Sequence, residues 1–93
     1  VGYNAVIGDH VVILQNSVVG HDSRVGDLTV MAAGVTLSGK VAIGEQCYIG
    51  VGASMKEGIE IAPETLIGAG SVVVSDIKGC RVAYGVPAQA ARH

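Results

Sequence analysis

His21 is the residue of this sequence whose type and neighbours best fit acid–base chemistry. It is one of three histidines, and Asp22 follows it directly. Imidazole is the side chain that exchanges protons near neutral pH, and a neighbouring carboxylate can orient it. Taken from the residues alone, Asp22 fits that orienting role and a solvated corner position equally well, and His21 also fits an ordinary exposed histidine. His10 is interpreted as a surface residue, and His93 is terminal.

Composition and charge exclude several other kinds of function. Six basic and eight acidic residues give a net charge of −2 without a basic run, which argues against nucleic acid or anionic membrane as a partner. No apolar run approaches the roughly 20 residues of a membrane helix, and no signal peptide opens the chain. Cys47 and Cys80 form neither a disulfide framework nor a zinc motif. We therefore predict a cytoplasmic, reduced protein without a metal.

The element that must position His21 is a six-residue repeat. Residues 1–78 divide into thirteen hexapeptides, each beginning with Val, Ile, Leu or Met. The second residue is Gly in seven of them, and the fifth is always small or β-branched. Charged residues avoid the first and fifth positions throughout. This periodicity predicts short strands that bend around a narrow core, with the first and fifth residues facing inward and glycine permitting the bends.

Three hexapeptides close one triangular coil of 18 residues, so residues 18 apart lie above one another. His21 then occupies an outward third position, with Gly39 directly over it and a backbone N–H there unobstructed by a side chain. Asn16, Gly34, Gly52 and Gly70 form a second column, and Leu14, Ala32, Gly50 and Gly68 a third. These columns predict an edge with few side chains, which serves either tight cornering or an extended ligand lying against the backbone. Cys47 faces the core and is no nucleophile.

The hexapeptides resemble those of the hexapeptide-repeat acyltransferases, whose fold is a left-handed parallel β-helix. The stretches VGHDSRVGD, IGEQCYIGVGAS, IGAGSVVVSDI and YGVPAQ resemble, within that superfamily, the sialic-acid O-acetyltransferase and bacillosamine-type aminosugar N-acetyltransferase family. The resemblance implies acetyl transfer from acetyl-CoA to a hydroxyl or amine of a sugar or nucleotide sugar. It also implies a homotrimer with active sites between neighbouring prisms.

The resemblance assigns roles by position. It implies that His21 is the general base, Asp22 its acidic neighbour and Gly39 a backbone donor to the acetyl carbonyl. The residues implied for coenzyme A are the pantetheine edge, the turn that closes over it and a cation for a phosphate: Val51, Gly52, Ala69, Gly70, Gly85, Val86, Pro87, Ala88 and Arg92. Two positions depart from the family, because Val30 replaces a second histidine and Gln89 replaces a lysine.

Domain organisation follows from where the repeat ends. We predict an all-β hexapeptide β-helix of about four coils over residues 1–78, and over 79–93 a tail that closes the coenzyme A site as a loop, a Gly-Val-Pro turn and a short Ala-rich helix. Family members usually carry an upstream sugar-nucleotide-binding domain that this chain lacks. Since the chain begins with Val1, we expect either a fragment of a longer protein or a stand-alone branch.

Two other functions remain open at this stage. The stretch GDLTVMAAGVTLSGK also resembles UDP-3-O-acylglucosamine N-acyltransferase, which takes its acyl chain from acyl carrier protein. The basic cluster that would dock such an acidic carrier is missing from the sequence. A non-catalytic β-helix scaffold is the third possibility. Zinc-dependent carbonic anhydrases share the fold, but Gly26 stands where they place a second histidine.

Overall fold

The computed structural model describes residues 2–78 and 82–90, which form a three-sided parallel β-helix followed by a hairpin. Two-residue strands alternate with turns along the repeat. Their bounds are β1 Val6–Ile7, β2 Val12–Ile13, β3 Val18–Val19, β4 Arg24–Val25, β5 Val30–Met31, β6 Thr36–Leu37, β7 Ala42–Ile43, β8 Tyr48–Ile49, β9 Ser54–Met55, β10 Glu60–Ile61, β11 Leu66–Ile67 and β12 Val72–Val73.

Every third strand stacks in one sheet, so the chain makes three faces. Face 1 has the order β1-β4-β7-β10 and face 3 the order β12-β9-β6-β3. Face 2 contains β2, β5, β8 and β11, and its strands continue into the hairpin. The register between strands of the repeat is 18 residues, as in the pairs Val6↔Arg24, Val12↔Val30 and Val18↔Thr36. This confirms the predicted stacking. The register shortens to 16 residues where the tail joins face 2, in the pair Leu66↔Val82.

The core consists of the first and fifth residues of the hexapeptides, as the periodicity predicts. Met31, Leu37, Ile49 and Ile67 are completely buried among them. The first coil is the exception, because no coil of the described chain covers it, and Ile7 is 36% exposed. Burial of apolar side chains along the axis is what holds the coils together.

Buried hydroxyl groups supply polar partners inside the prism. Ser17 Oγ donates to the carbonyl of Ala32 and accepts the N–H of Val35 one coil above. Thr29 Oγ1 does the same between the carbonyl of Gly44 and the N–H of Cys47. No buried side-chain nitrogen or oxygen of the described residues lacks a hydrogen-bond partner. Small hydroxyl residues at fifth positions therefore satisfy backbone groups at the corners of the prism.

Turning is achieved at the fourth position of the hexapeptide. Glycines there turn with positive φ, as Gly52 (φ 72°) does, in line with the sequence interpretation. Other residue types adopt the same left-handed backbone, as Leu28 (φ 61°) and Lys40 (φ 56°) show. Glycines at second positions serve close approach instead. A Cβ at Gly26 would lie 2.6 Å from the backbone nitrogen of Glu45, and one at Gly50 would lie 2.5 Å from that of Ala69.

The tail also differs from its prediction. Strands β13 (Val82–Gly85) and β14 (Ala88–Ala90) form an antiparallel hairpin where a loop and an Ala-rich helix are predicted. The first of them extends face 2 by pairing with β11. Pairing with β13 satisfies the backbone groups at the edge of β11, and β14, which contains the alanines, then pairs with β13. These pairings outweigh the helix preference of alanine. No helix long and apolar enough to cross a membrane occurs in the described residues.

Candidate active site

His21 lies at the corner between face 3 and face 1, which we call the histidine corner. The strand β3 ends two residues before it and β4 begins three residues after it. Its side chain is 36% exposed, and Nδ1 lies 3.1 Å from Oδ2 of Asp22. The structure therefore gives the imidazole both access to solvent and a carboxylate partner.

Asp22 is held by three neighbouring coils. Its left-handed backbone (φ 58°) turns the chain, and its N–H donates to the carbonyl of Tyr3 at 3.0 Å. The hydrogen bond from His21 lowers the pKa of the Asp22 carboxyl below its ordinary value, and hydrogen bonding by Asn4 and the charge of Lys40 act in the same direction against a smaller desolvation effect. Asp22 is consequently ionised near neutral pH.

The charge of Asp22 decides the tautomer of His21. An ionised carboxylate only accepts hydrogen bonds, so Nδ1 of the imidazole must carry the hydrogen in the Asp22 contact. A neutral imidazole then has its free lone pair on Nε2. This is the atom that can take a proton from an incoming hydroxyl or amine.

Gly39 lies against the other end of the ring. A Cβ at Gly39 would be 2.6 Å from Nε2 of His21, so only glycine leaves the imidazole its observed position. Gly39 is buried under the ring, whereas the sequence predicts an unobstructed backbone there. Its carbonyl accepts the N–H of Gly58 at 3.0 Å, and within the described residues its own N–H donates to no other group.

The predicted pantetheine edge lies at a different corner, between face 2 and face 3, which we call the glycine corner. Gly52 and Gly70 occupy it one coil apart with φ of 72° and 70°, and a Cβ on either would meet nothing within 4 Å. Their neighbours Val51 and Ala69 are also exposed. The corner presents backbone and small side chains to solvent over two coils.

The third column does not belong to this edge. Gly50 packs on the backbone of Ala69, and a Cβ at Gly68 would be 2.8 Å from Cβ of Tyr84. These second-position residues face neighbouring backbone and not an open groove. The sequence predicts that both columns leave the edge without side chains. The structure agrees only for the column of Gly34, Gly52 and Gly70.

The hairpin turn caps the glycine corner. Strand β13 continues over β11, which brings Gly85, Val86, Pro87 and Ala88 to the level above Ala69 and Gly70. The N–H of Gly85 donates to Oγ of Ser71 at 3.2 Å and fastens the turn there. Val86 is 72% exposed. Arg92 and Cys80 lie outside the described residues.

The structure thus separates the predicted residues into two groups. His21, Asp22 and Gly39 share the histidine corner, while Val51, Gly52, Ala69, Gly70 and the turn share the glycine corner. Face 3 lies between the two corners. One chain by itself does not bring its imidazole to its own glycine corner.

Two features of the described chain bear on other chemistries. Cys47 is 2% exposed, and burial raises the pKa of its thiol, which makes it a poor nucleophile. No group of three or more His, Cys, Asp and Glu side chains that could hold a metal ion occurs in residues 2–78 and 82–90.

Face 1 carries a groove that the sequence interpretation missed. It has a volume of about 570 Å³, and its lining includes Arg24, Ala42 and Lys78. The outward residues on the four strands of face 1 are Val6, Arg24, Ala42 and Glu60, which mix charged and small side chains. No local pattern marks them as a groove, because the groove forms only when the strands stack. None of the predicted site residues lines it.

Comparison with known proteins supports the fold and relates the repeat to those of bacterial transferases. Residues 4–39 match the family model described as bacterial transferase hexapeptide (six repeats). No curated protein matches. The chain therefore carries the transferase hexapeptide repeat, and its fold class is the left-handed parallel β-helix that the resemblance implied.

Three solved structures show the similarity along most of the chain. Serine acetyltransferase of Neisseria gonorrhoeae, in complex with serine, is 34% identical with a TM-score of 0.86, over 91% of this chain and 39% of that one. A mutant of perosamine N-acetyltransferase from Caulobacter crescentus, in complex with CoA and GDP-perosamine, is 27% identical with a TM-score of 0.79, over 99% and 54%. The acetyltransferase domain of PglB from Neisseria gonorrhoeae is 27% identical with a TM-score of 0.81, over 97% and 53%. This chain thus spans between about two fifths and about half of their lengths.

Proposed function

We propose that this hexapeptide-repeat chain is an acetyl-CoA-dependent acetyltransferase that acts on a hydroxyl or amine of a sugar or nucleotide sugar, with His21 as the general base. The observation that carries the proposal is the arrangement of Asp22, His21 and Gly39. A carboxylate holds one ring nitrogen at 3.1 Å, and the other ring nitrogen lies beside a residue without a side chain. An oriented base on a partly exposed side chain is what proton abstraction requires.

The chemical step follows from this geometry. Nε2 of His21 accepts the proton of the acceptor hydroxyl or amine while the acceptor's oxygen or nitrogen attacks the thioester carbonyl carbon. The tetrahedral intermediate carries a negative oxygen, which the N–H of Gly39 stabilises. The C–S bond then breaks, and the imidazolium returns its proton to the CoA thiolate. Asp22 stays ionised throughout and stabilises the charged imidazolium.

The glycine corner is the proposed binding site of the pantetheine arm of CoA. An extended chain with two amides can lie against bare backbone and pair with its N–H and C=O groups. Gly52 and Gly70 leave that backbone open, and the turn from Gly85 to Ala88 closes the upper end. We assign Arg92 to a phosphate of CoA by the family resemblance alone.

Separation of the two corners calls for more than one copy of the chain. We propose a homotrimer in which the histidine corner of one subunit meets the glycine corner of the next. The outward column of face 2 supports it, since these positions hold only apolar residues, and a monomer would expose this sheet face to water. The column is Val12, Val30, Tyr48, Leu66 and Val82.

Two of the similar structures point to two different classes of acceptor. One contains CoA together with GDP-perosamine, and the other contains serine. Sequence motifs around His21 and the tail favour the sugar acceptor. We therefore place a nucleotide-linked or free amino sugar first and serine second.

The test is acetyl transfer by the purified chain. Release of free CoA thiol from acetyl-CoA is followed with GDP-perosamine, sialic acid and serine in parallel, with and without a chelator. We expect chelator-resistant turnover with a sugar acceptor. Turnover confined to an acyl carrier protein thioester would favour the N-acyltransferase alternative. A chain that shows no turnover with any donor would favour the non-catalytic scaffold.

The assembly has its own test. Sedimentation at micromolar concentration should give the mass of a trimer. Replacing Leu66 with arginine should give monomers that bind neither donor nor acceptor productively, while Glu60→Arg on face 1 should leave the trimer intact. A monomeric wild-type chain with full activity would contradict the site between subunits.

A further inference from the structure

We infer that Tyr3 is a positioning residue, whose ring keeps the His21 imidazole in the orientation that moves the proton. The role rests on the acetyl transfer proposed above. Tyr3 lies at the histidine corner one coil before His21, at the same outward third position. Nothing in its residue type or in the sequence motifs marks it as functional.

The two rings are stacked in a parallel, offset arrangement. Their centroids are 5.2 Å apart and their planes differ by 10°. Tyr3 is 71% exposed, so the ring is not held at this place by burial in the core. An aromatic pair at this separation attracts by itself, and an imidazolium above a tyrosine face gains a cation–π contribution. The stack is thus favourable both before and after His21 takes up a proton.

Tyr3 supplies the constraint that Asp22 alone cannot. A single hydrogen bond at Nδ1 holds one atom of the ring but leaves its plane free to rotate about that contact. Tyr3 covers one face of the ring, and Gly39 lies beside Nε2 at the opposite end of the column. Together the three contacts fix the plane of the imidazole and hence the direction of the Nε2 lone pair.

The backbone links the same three coils in the same order. The N–H of Asp22 donates to the carbonyl of Tyr3 at 3.0 Å, and the N–H of Lys40 donates to the carbonyl of His21 at 2.8 Å. A shift of the first coil therefore moves the ring of Tyr3 and the turn of Asp22 together. The first coil supports the base through its side chain and its main chain at once.

The direct test of the stack is nuclear magnetic resonance of the histidine ring protons. We compare the wild type with Tyr3→Phe, which keeps an aromatic ring, and Tyr3→Leu, which keeps an apolar side chain. Val11→Ala in the same coil is the control for general loosening, because Val11 is partly buried against the core. The stack predicts that the His21 ring signals are shielded in the wild type and in Tyr3→Phe, and move downfield only in Tyr3→Leu. Unmoved signals in Tyr3→Leu overturn the stack.

The kinetic test uses the same variants and the acceptor that gives the highest turnover in the acetyl-transfer assay. Tyr3→Leu should lower kcat by roughly tenfold with an unchanged KM for acetyl-CoA, because misorientation of a catalytic group acts on the chemical step. Tyr3→Phe should stay within about twofold of the wild type, as should Val11→Ala. A purely structural role of Tyr3 predicts instead that Val11→Ala and Tyr3→Leu lose activity together.

The outcomes separate the two proposals. An active wild type with full turnover in Tyr3→Leu overturns the role of Tyr3 and leaves the acetyltransferase standing. A wild type that is inactive with every donor and acceptor overturns the acetyltransferase and, with it, the positioning role. Loss of activity in both Tyr3→Phe and Tyr3→Leu would also count against the stack, since the phenyl ring preserves it.

Discussion

The histidine corner and the glycine corner have the same backbone path but opposite surfaces. At the first, successive coils place Tyr3, His21 and Gly39 in one column, and side-chain contacts join each level to the next. At the second, Gly52 and Gly70 leave open space where a Cβ would stand. The histidine corner therefore packs the side chain of His21 between its neighbours, whereas the glycine corner has no side chain at Gly52 or Gly70. The same repeat makes a corner with packed side chains or a corner of open backbone, and the third and fourth residues of the hexapeptide are where the two differ at the surface.

The largest expected effect breaks the histidine corner itself. His21→Ala should lower turnover by about 10² to 10⁴, the usual cost of losing a general base. Because the side chain is partly exposed, the free energy of unfolding should fall by only about 0.5–1 kcal/mol, mostly from the lost ring contact. Kinetics and denaturant unfolding measure the two. His10→Asn at another corner is the matched control, and wild-type turnover in His21→Ala would refute the base.

A smaller effect comes from giving the histidine corner one more carbon. Gly39→Ala puts a Cβ where Nε2 now lies, so the imidazole must swing away from its observed position. We expect kcat to fall by roughly 10- to 100-fold while stability changes by less than about 1 kcal/mol, because a flexible side chain makes the room. Thermal unfolding and steady-state kinetics on one preparation give both numbers. Equal loss of stability and activity would mean that the backbone had moved instead.

The glycine corner is tested by filling it. Gly70→Leu should raise the Kd for acetyl-CoA by about tenfold or more, since a side chain would occupy the space of the pantetheine. It also carries a backbone cost of about 1–2 kcal/mol at its positive φ. Gly58→Leu shares that cost, because Gly58 has φ 81° and open space, but Gly58 lies at the histidine corner and not at the glycine corner. Calorimetric titration of the two variants isolates the ligand effect, and equal affinities would place the donor elsewhere.

The smallest effect concerns the charge of Asp22. Its pKa is lowered from 3.8 in the folded chain, so its stabilising contribution is complete above that value and disappears as pH falls through the folded pKa. Asp22→Asn should therefore differ from the wild type in unfolding free energy near neutral pH and converge with it in acid. Denaturant unfolding at both pH values checks the sign. Divergence towards acid would contradict an ionised partner for His21.

Much of this molecule is determined by the sequence alone. The hexapeptide period sets which side chains face inward, and a coil of three hexapeptides puts Gly39 over His21 and Gly70 over Gly52. Those consequences need no knowledge of distant contacts, because stacking turns sequence separation directly into spatial distance. The family resemblance adds the hand of the helix and the reaction that we propose.

Other features depend on contacts that no local pattern encodes. The tail pairs as a hairpin because β11 offers the backbone groups of its edge to β13, and β13 offers its other edge to β14. This pairing overrides the helix preference of the alanines in β14. Glycine is required at second positions such as Gly26, because the backbone of the next coil leaves no room for a Cβ. Leu28 adopts a left-handed backbone because the path of the coil turns there. The contact between Tyr3 and His21 arises in the same way: the period places the two residues in one column, and only the packed coils bring their rings to 5.2 Å.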